Sequence, residues 1–237
     1  MLEKILEYER GLFFLLNGSD SPMMDRFIWL ISSTWVWIPW AVCLLIVIFY
    51  KKNWKEALFV ILAIALVITI CDQVSASLIK PYFARFRPTH HPDFMDEVKT
   101  VFGYRGGRYG FVSSHAANAF GCAIFTILLF RNRFFTFTML TFAILNAYSR
   151  VYLGVHFISD IVGGAIVGVL AGFICYCLYV TARKYFLKIS ASDSELKNSR
   201  YTTKEKNIIS LFFWITIICI LLFNNQLVRL FLRENMS

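Results

Sequence analysis

The sequence predicts an all-α protein, a polytopic membrane helix bundle of about six transmembrane helices with an N-terminal interfacial amphipathic helix. Of its 237 residues, 58% are hydrophobic and only 16% are charged. Soluble domains carry fewer apolar residues, and about a quarter of their residues are charged. Six apolar runs also approach the ~20 residues that a helix rising ~1.5 Å per residue needs to cross a bilayer. These observations together define the fold class.

The six apolar runs divide the chain into regions. They cover 27–50, 56–79, 114–130, 134–152, 157–181 and 207–223, and the third and the sixth are short. We therefore predict four regions, which are an amphipathic segment over 1–26, a core over 27–181, a cytoplasmic linker over 182–206, and a C-terminal transmembrane helix with its tail over 207–237. The linker contains the polar stretch "KISASDSELKNSRYTTKEK", a composition typical of flexible connections.

The N-terminal stretch "MLEKILEYERGLFFLLNG" places charged residues between apolar residues that mostly recur at helical spacing. A cleavable signal peptide would instead put positive charge before an uninterrupted apolar core. The pattern favours an amphipathic helix that lies in the membrane interface. A helix that simply packs against the bundle is the alternative.

The density of basic residues orients the bundle. With six spans, the segments that follow the first, third and fifth runs lie on one side and hold half of the 24 Lys and Arg residues in a few short stretches. Short basic loops are typical of the cytoplasmic side. We therefore predict an inner (cytoplasmic) membrane protein with both termini outside. Its net charge of +9 suits anionic lipid, and nothing in the sequence indicates a nucleic-acid partner.

Three polar clusters fall on the predicted outer face. The stretch "KPYFARFRP" follows the second run, "FVSSHAAN" begins the third, and "SRVYLGVHFISD" joins the fourth run to the fifth. Because six spans bring all three to the same membrane surface, we expect them to form one site. This expectation rests on topology alone.

The clusters contain the groups of an anion site. Three cations, Lys80, Arg87 and Arg150, would converge there, and two hydroxyls, Ser113 and Ser114, stand at a helix start. Free amide donors at a helix N-terminus together with cations bind phosphate readily. We therefore predict a phosphate-binding site.

Two histidines and one carboxylate supply chemistry for phosphoryl transfer. His156 and Asp160 are four residues apart, so on a helix the carboxylate can hold one ring nitrogen and leave the other free to attack. His115 can then donate a proton to the leaving oxygen. No cluster of carboxylates suggests a two-metal site, and the cations can provide the neutralisation that Mg²⁺ would supply. We predict no metal and no cofactor.

The three clusters resemble the signature motifs of the type 2 phosphatidic acid phosphatase (PAP2) family, whose superfamily includes the vanadium haloperoxidases. The resemblance covers roughly residues 25 to 181 and rests on Lys80-x6-Arg87-Pro88, Ser113-Ser114-His115 and Ser149-Arg150-x5-His156-x3-Asp160. The second motif of the family usually reads Pro-Ser-Gly-His, and here Val112 and Ser114 replace the Pro and the Gly.

The resemblance implies a role for each matching residue. His156 would form a phosphohistidine, Asp160 would orient it, and His115 would protonate the leaving group. The phosphoryl oxygens would be bound by the remaining matched side chains, Lys80, Arg87, Ser113 and Arg150, with amides near Ser114 assisting. Members of the family are metal-independent and act on lipid phosphates.

Arginines outside the motifs bear on the substrate. Arg105 and Arg108, in "GYRGGRYG", would suit a headgroup with more than one anionic group, and Arg85 is either a headgroup contact or an anchor at the surface. Relatives in the family act on phosphatidate, phosphatidylglycerol phosphate, undecaprenyl diphosphate or lipid A. We therefore favour a lipid A phosphatase. Asp72, inside the second run, is expected to pair with a neighbouring helix.

Other functions remain open at this point. Within the same class, the substrate could be undecaprenyl diphosphate or phosphatidylglycerol phosphate. A vanadium haloperoxidase would use the same pocket to hold vanadate, but the transmembrane runs and the short chain argue against it. An anion transporter would need polar residues through the whole bundle, whereas here they gather at one surface.

Overall fold

The computed structural model describes residues 2–188 and 200–234, and in this part of the chain the regular secondary structure is helical. A single antiparallel bridge pairs Phe86 with Tyr109. Nine α-helices are described: α1 Leu2–Leu16, α2 Pro22–Ser32, α3 Ile38–Phe49, α4 Trp54–Asp72, α5 Lys80–Phe83, α6 Ser114–Phe130, α7 Arg133–Tyr152, α8 Ile158–Phe186 and α9 Thr203–Glu234. The prediction of an all-helical protein is confirmed.

Three of the described helices are long and apolar enough to cross a membrane. Helix α4 continues through the π-helical segment Gln73–Ile79 into α5, so Trp54–Phe83 forms one such helix. The other two are Ile158–Phe186 and Thr203–Phe231, while Ser114–Phe130 is apolar but shorter. The membrane bundle is therefore supported, whereas the count of six spans stays a prediction.

The first predicted span, 27–50, is not one straight helix. Pro22–Ser32 and Trp35–Phe49 meet at an angle of 71°. The break falls at Ser33, which is extended, and the next helix has Pro39 in its first turn. Serine and threonine compete with the helix backbone for hydrogen bonds, and proline suits a helix start. The sequence "SST" therefore ends α2, although the surrounding run is apolar throughout.

Helices α6 and α8 pack with their backbones in contact along a row of glycines. A Cβ atom added at Gly164 would lie 2.4 Å from the carbonyl oxygen of Ser113, and one at Gly168 would lie 2.3 Å from that of Ala117. One at Gly172 would lie 2.5 Å from another α6 carbonyl oxygen. Glycines four residues apart share one face of a helix and allow this close approach. The contact places the start of α8 beside the start of α6.

Helix α1 packs over the junction between α7 and α8. Phe13 is fully buried there, with its ring 5.3 Å from that of Phe157. The amide of Asn17 holds the helix end by donating to the carbonyl oxygens of Tyr152 and Lys99. Apolar residues on the other faces of the helix remain exposed, namely Tyr8, Leu12 and Leu15. The helix thus packs on the bundle and also presents an apolar surface, so its place in the membrane interface stays a prediction.

Two acidic residues elsewhere in the bundle, Asp72 and Glu56, have polar partners. Asp72 accepts a hydrogen bond of 2.9 Å from the amide of Asn118 on α6, so the predicted pairing with a neighbouring helix is confirmed. At the far end of the bundle, Glu56 forms ion pairs with Arg183 and Arg200. Helix α8 runs on to residue 186 and α9 begins at residue 203, so both ends of the predicted linker, 182–206, are helical. Residues 189–199 of the linker lie outside the described part.

Candidate active site

The three polar clusters meet at one end of the bundle, as the sequence predicts. The ammonium group of Lys80, in α5, donates a 2.8 Å hydrogen bond to the hydroxyl of Ser114, the first residue of α6. The backbone N–H of Ser113 donates a 3.0 Å hydrogen bond to the carbonyl oxygen of Asp160. These contacts join the first motif to the second and the second to the third.

His156 and Asp160 form a buried pair. The distance between His156 Nδ1 and Asp160 Oδ2 is 3.2 Å, and both side chains are almost completely buried. The same carboxylate oxygen accepts the N–H of Phe157, at the start of α8, at 3.0 Å. The carboxylate is thereby fixed at the helix N-terminus, where the helix dipole favours negative charge. The other ring nitrogen of His156, Nε2, is left free for chemistry.

Cations lie close enough to this pair, and to one another, to shift the pKa values of the site. Burial, followed by the charges of Arg87, Arg150 and Lys80, lowers the pKa of His156 well below its ordinary value. Burial and the neighbouring Arg150 also lower the pKa of Arg87. Mutual repulsion among these cations would be relieved by a bound anion. The imidazole of His156 is consequently neutral at physiological pH, as a nucleophile must be.

Arg150 is a buried cation that two hydroxyl groups hold in place. It is 2% exposed, donates to the hydroxyl of Ser32, and donates to the hydroxyl of Tyr104 at 2.9 Å. Its Nε finds no partner among the described residues. Helix α2 and the loop after α5 therefore both support a residue of the third motif.

His115 lies at the meeting point of two cavities. A smaller one, of about 260 Å³, is also lined by Arg150 and Tyr104. A larger one, of about 560 Å³, runs from His115 between α3, α4, α6 and α7, as far as Thr126 and Met139. Its lining is largely apolar. One histidine thus faces both a cationic cavity and an apolar one.

Ser113 stands directly before the first residue of α6. It is fully buried at the N-cap of α6, where its hydroxyl accepts from the N–H of Ala116 at 3.4 Å. Ser114, half-buried beside Lys80, also lines the larger cavity. Ser114, which stands where the family motif usually has glycine, therefore gives the site an additional hydroxyl.

Arg85 does not lie where a headgroup contact would be. Its guanidinium is buried, forms an ion pair with Asp160 at 2.8 Å, and forms a second ion pair with Glu9 of α1. It also donates to Ser159 at 2.6 Å and lies over the ring of Phe157. Arg85 therefore faces into the protein, because two buried carboxylates attract it.

The loop with Arg105 and Arg108 is tied to the first motif. The carbonyl oxygen of Arg105 accepts from the hydroxyl of Thr89 at 2.8 Å, and that of Arg108 accepts from the N–H of Arg87 at 3.0 Å. Both arginine side chains are exposed. The structure thus fixes the backbone of both residues and exposes their side chains, and the guanidinium of Arg108 lies over the rings of Phe86 and Tyr109.

Two glycines of this loop are required by close contacts. A Cβ atom at Gly106, where φ is +67°, would lie 2.6 Å from the guanidinium of Arg87. One at Gly110 would lie 2.9 Å from the carboxylate of Asp160 and 3.5 Å from the ring of His156. The loop therefore covers the site directly, and larger residues at these positions would displace it.

Sequence reasoning missed four residues that support the site. Glu9 and Ser159 bind Arg85, while Ser32 and Tyr104 bind Arg150. None of them belongs to a spaced motif, and Glu9 and Ser32 are far from their partners in sequence. Ser159 stands directly before Asp160, and this position was the one local sign in the sequence that a residue outside the motifs supports the site.

The fold and the arrangement of the three clusters define a class of protein, and the comparisons agree. A family model described as the PAP2 superfamily matches residues 56–184, more than half of the chain. The chain belongs to the PAP2 superfamily.

Its similarity to particular proteins narrows the class. It is 51% identical over 189 residues to the lipid A 4'-phosphatase of Porphyromonas gingivalis, with 80% of each chain covered. It is 39% identical to the lipid A 4'-phosphatase of Bacteroides thetaiotaomicron over 74% of this chain and 79% of the relative. The crystal structure of Aquifex aeolicus LpxE superimposes with a TM-score of 0.53 and 27% identity, over 71% of this chain and 94% of that one. The prediction of a lipid phosphatase is confirmed.

Proposed function

We propose that this protein removes a phosphate group from lipid A at the extracytoplasmic face of the inner membrane. The observation that carries the proposal is the buried His156–Asp160 pair, which faces converging cations at the junction of apolar helices. A neutral, oriented imidazole within a cationic site is suited to attack a phosphoryl group. The apolar cavity beside His115 suits a substrate that carries acyl chains.

The reaction proceeds in two steps. The lone pair on Nε2 of His156 attacks phosphorus, and the bond from phosphorus to the sugar oxygen breaks as His115, protonated once the anionic phosphate is bound, transfers its proton to that oxygen. Asp160 holds the opposite ring nitrogen and stabilises the positive charge that develops on the imidazole. In the second step His115 takes a proton from water, which attacks the phosphohistidine and releases inorganic phosphate. The enzyme is then restored.

The cations carry the charge of the transferring group. Lys80, Arg87 and Arg150 surround the position beside His156, and the hydroxyl of Ser114 and the fixed amides at the start of α6 complete the phosphate site. Preorganised donors of this kind stabilise the charge of the transition state without a metal ion. Phosphate transfer is therefore proposed to need neither metal nor cofactor.

The substrate is assigned from two lines of support. Two relatives with 51% and 39% identity carry the name lipid A 4'-phosphatase. The exposed Arg105 and Arg108 supply further cations beside the site, which suits a lipid with more than one phosphate. A bundle of six spans, with α1 in the membrane interface, would place this site on the extracytoplasmic side of the membrane.

Phosphate release by the purified protein in detergent tests the proposal. The substrates would be lipid A, undecaprenyl diphosphate, phosphatidylglycerol phosphate and phosphatidate, each with and without excess EDTA. We expect the highest kcat/KM on lipid A, no loss in EDTA, and inhibition by vanadate, whose adduct with an imidazole resembles the transition state. A preference for another lipid would overturn the substrate, and a strict requirement for Mg²⁺ or Zn²⁺ would overturn the role of the cations.

A further inference from the structure

Helix α1 places the carboxylate of Glu9 next to residues of the active site. Glu9 is only 8% exposed, although it lies on a short N-terminal helix whose other acidic residue with a described side chain, Glu7, is exposed. Its Oε1 accepts hydrogen bonds from Arg85 and from the hydroxyl of Ser159, the latter at 2.8 Å. Its Oε2 accepts the backbone N–H of Ser159 at 2.8 Å. Both oxygens are thus used.

The contacts of Glu9 continue to the nucleophile. Arg85 bridges Glu9 and Asp160, with a distance of 2.8 Å to Asp160 Oδ1. The other oxygen of Asp160, Oδ2, lies 3.2 Å from Nδ1 of His156. Charges therefore alternate from glutamate to arginine to aspartate and end at the imidazole. Each ionic side chain in this series is at most 9% exposed.

Residues other than Glu9 also hold α1 in place. Phe13 and Asn17 already fix the helix, through a fully buried ring and hydrogen bonds to backbone carbonyl groups. Removing a carboxylate from water costs free energy unless it gains charged partners. Glu9 has such a partner in Arg85, and it also satisfies a backbone N–H at the start of α8, the helix that carries Asp160. Its contacts therefore reach both the arginine and the helix that hold Asp160.

We infer that Glu9 is a positioning residue of the active site, which acts through Arg85 to hold Asp160 and thereby His156. This inference rests on the proposed function and extends it to a helix that lies outside the three motifs. Without the charge of Glu9, Arg85 would be held by one carboxylate only and could turn away from its present position. Asp160 would then lose its ion pair, and the imidazole would lose its fixed orientation.

Replacement of one buried and one exposed glutamate on the same helix tests the inference. Glu9→Gln and the matched control Glu7→Gln remove the same charge, and both are assayed as full-length protein in detergent with dioctanoyl phosphatidate and with lipid A. We expect Glu9→Gln to lower kcat roughly tenfold or more, with KM within about twofold of wild type on both substrates. Glu7→Gln should match wild type. A rise in KM at unchanged kcat would overturn the inference.

A double-mutant cycle separates positioning from a structural role. If Glu9 acts through Arg85, Glu9→Gln should cost no further activity in an Arg85→Met background, because the intermediate group is already gone. Glu9→Asp, which keeps the charge, should retain a higher kcat than Glu9→Gln. Losses that multiply in the double variant, or equal kcat for Glu9→Asp and Glu9→Gln, would overturn the inference. If the wild-type protein releases no phosphate from any lipid, the proposed function fails instead.

Discussion

His156 shows how single residues acquire chemistry from their surroundings. An exposed histidine would be partly protonated near neutral pH, whereas burial and nearby cations lower the pKa of His156 well below that range. Asp160 orients the ring, and Arg85 in turn holds Asp160. The reactivity of one imidazole therefore depends on charges from several helices.

Replacement of His156 tests the proposed nucleophile. His156→Ala should abolish phosphate release, because the variant lacks the imidazole that would attack phosphorus, while the protein remains inserted and folded. His90→Ala is the matched control, since His90 lies in the loop after the first motif and outside the proposed machinery. Phosphate release in detergent and thermal unfolding would be measured for both. Activity above a few per cent in His156→Ala would disprove the phosphohistidine.

The loop arginines are expected to select the headgroup. Each charge-assisted contact is worth roughly 1.5–3 kcal/mol when desolvated and less on an exposed loop. Replacing both Arg105 and Arg108 with Ala should therefore lower kcat/KM on lipid A about tenfold or more, chiefly through KM.

Dioctanoyl phosphatidate provides the control for the loop variant, because it has no second phosphate to hold. The double variant should lose little activity on this substrate. Equal losses on both substrates would show that these arginines support the common phosphate site or the loop itself, and the preference for a multiply anionic lipid would lose its basis.

At the scale of elements, the site depends on how closely α6 and α8 approach each other. Gly168 leaves no space for a methyl group, since its Cβ would lie 2.3 Å from a carbonyl oxygen and 2.9 Å from a backbone nitrogen of α6. Both contacts are with backbone, which cannot move aside as a flexible side chain could. The same two helices carry His115 and Asp160 on their first turns. The helix spacing thus sets the spacing of the catalytic groups.

A single methyl group should disturb this packing. Gly168→Ala is expected to destabilise the protein by about 1–3 kcal/mol, the usual cost of overpacking, and to lower kcat because the starts of α6 and α8 move apart. Gly11→Ala in α1 is the control, because a Cβ there meets nothing within 4 Å. Thermal unfolding in detergent would be compared for both variants. If Gly168→Ala is as stable and active as Gly11→Ala, the backbone contact does not set the site.

At the scale of the whole molecule, the bundle separates two polar ends. One holds the motifs, and the other holds the buried Glu56 with its ion-pair partners Arg183 and Arg200. The apolar surface between them is extensive on α4, α8 and α9, as expected for helices that face lipid. Which end faces the cytoplasm is predicted from the basic loops.

Labelling of single cysteines tests that orientation. Asp96→Cys lies in the exposed loop after α5, and Arg133→Cys lies at the exposed start of α7. Each would be made in a variant without the six natural cysteines. In intact cells whose inner membrane is sealed, an impermeant thiol reagent that reaches the periplasm should label Asp96→Cys and spare Arg133→Cys. The opposite pattern would place the active site in the cytoplasm.

The sequence by itself determined the helical membrane class and the sets of residues that form the site. Long apolar runs specify helices without reference to neighbours, because a backbone in lipid must satisfy its own hydrogen bonds. The motifs were equally readable, since His156 and Asp160 are four residues apart and meet across the start of α8. Topology then predicted correctly that three separated clusters would meet.

Only the tertiary structure decided which other groups complete the site. The break after α2, the role of Arg85 and the arrival of Glu9 all depend on contacts between residues far apart in the chain. Sequence composition does not encode such contacts, because an arginine in a surface-like stretch can equally face water, lipid headgroups or a buried carboxylate. Helix packing decides among these environments. The row of glycines allows α8 to pack closely against α6, and α1 covers their junction with α7.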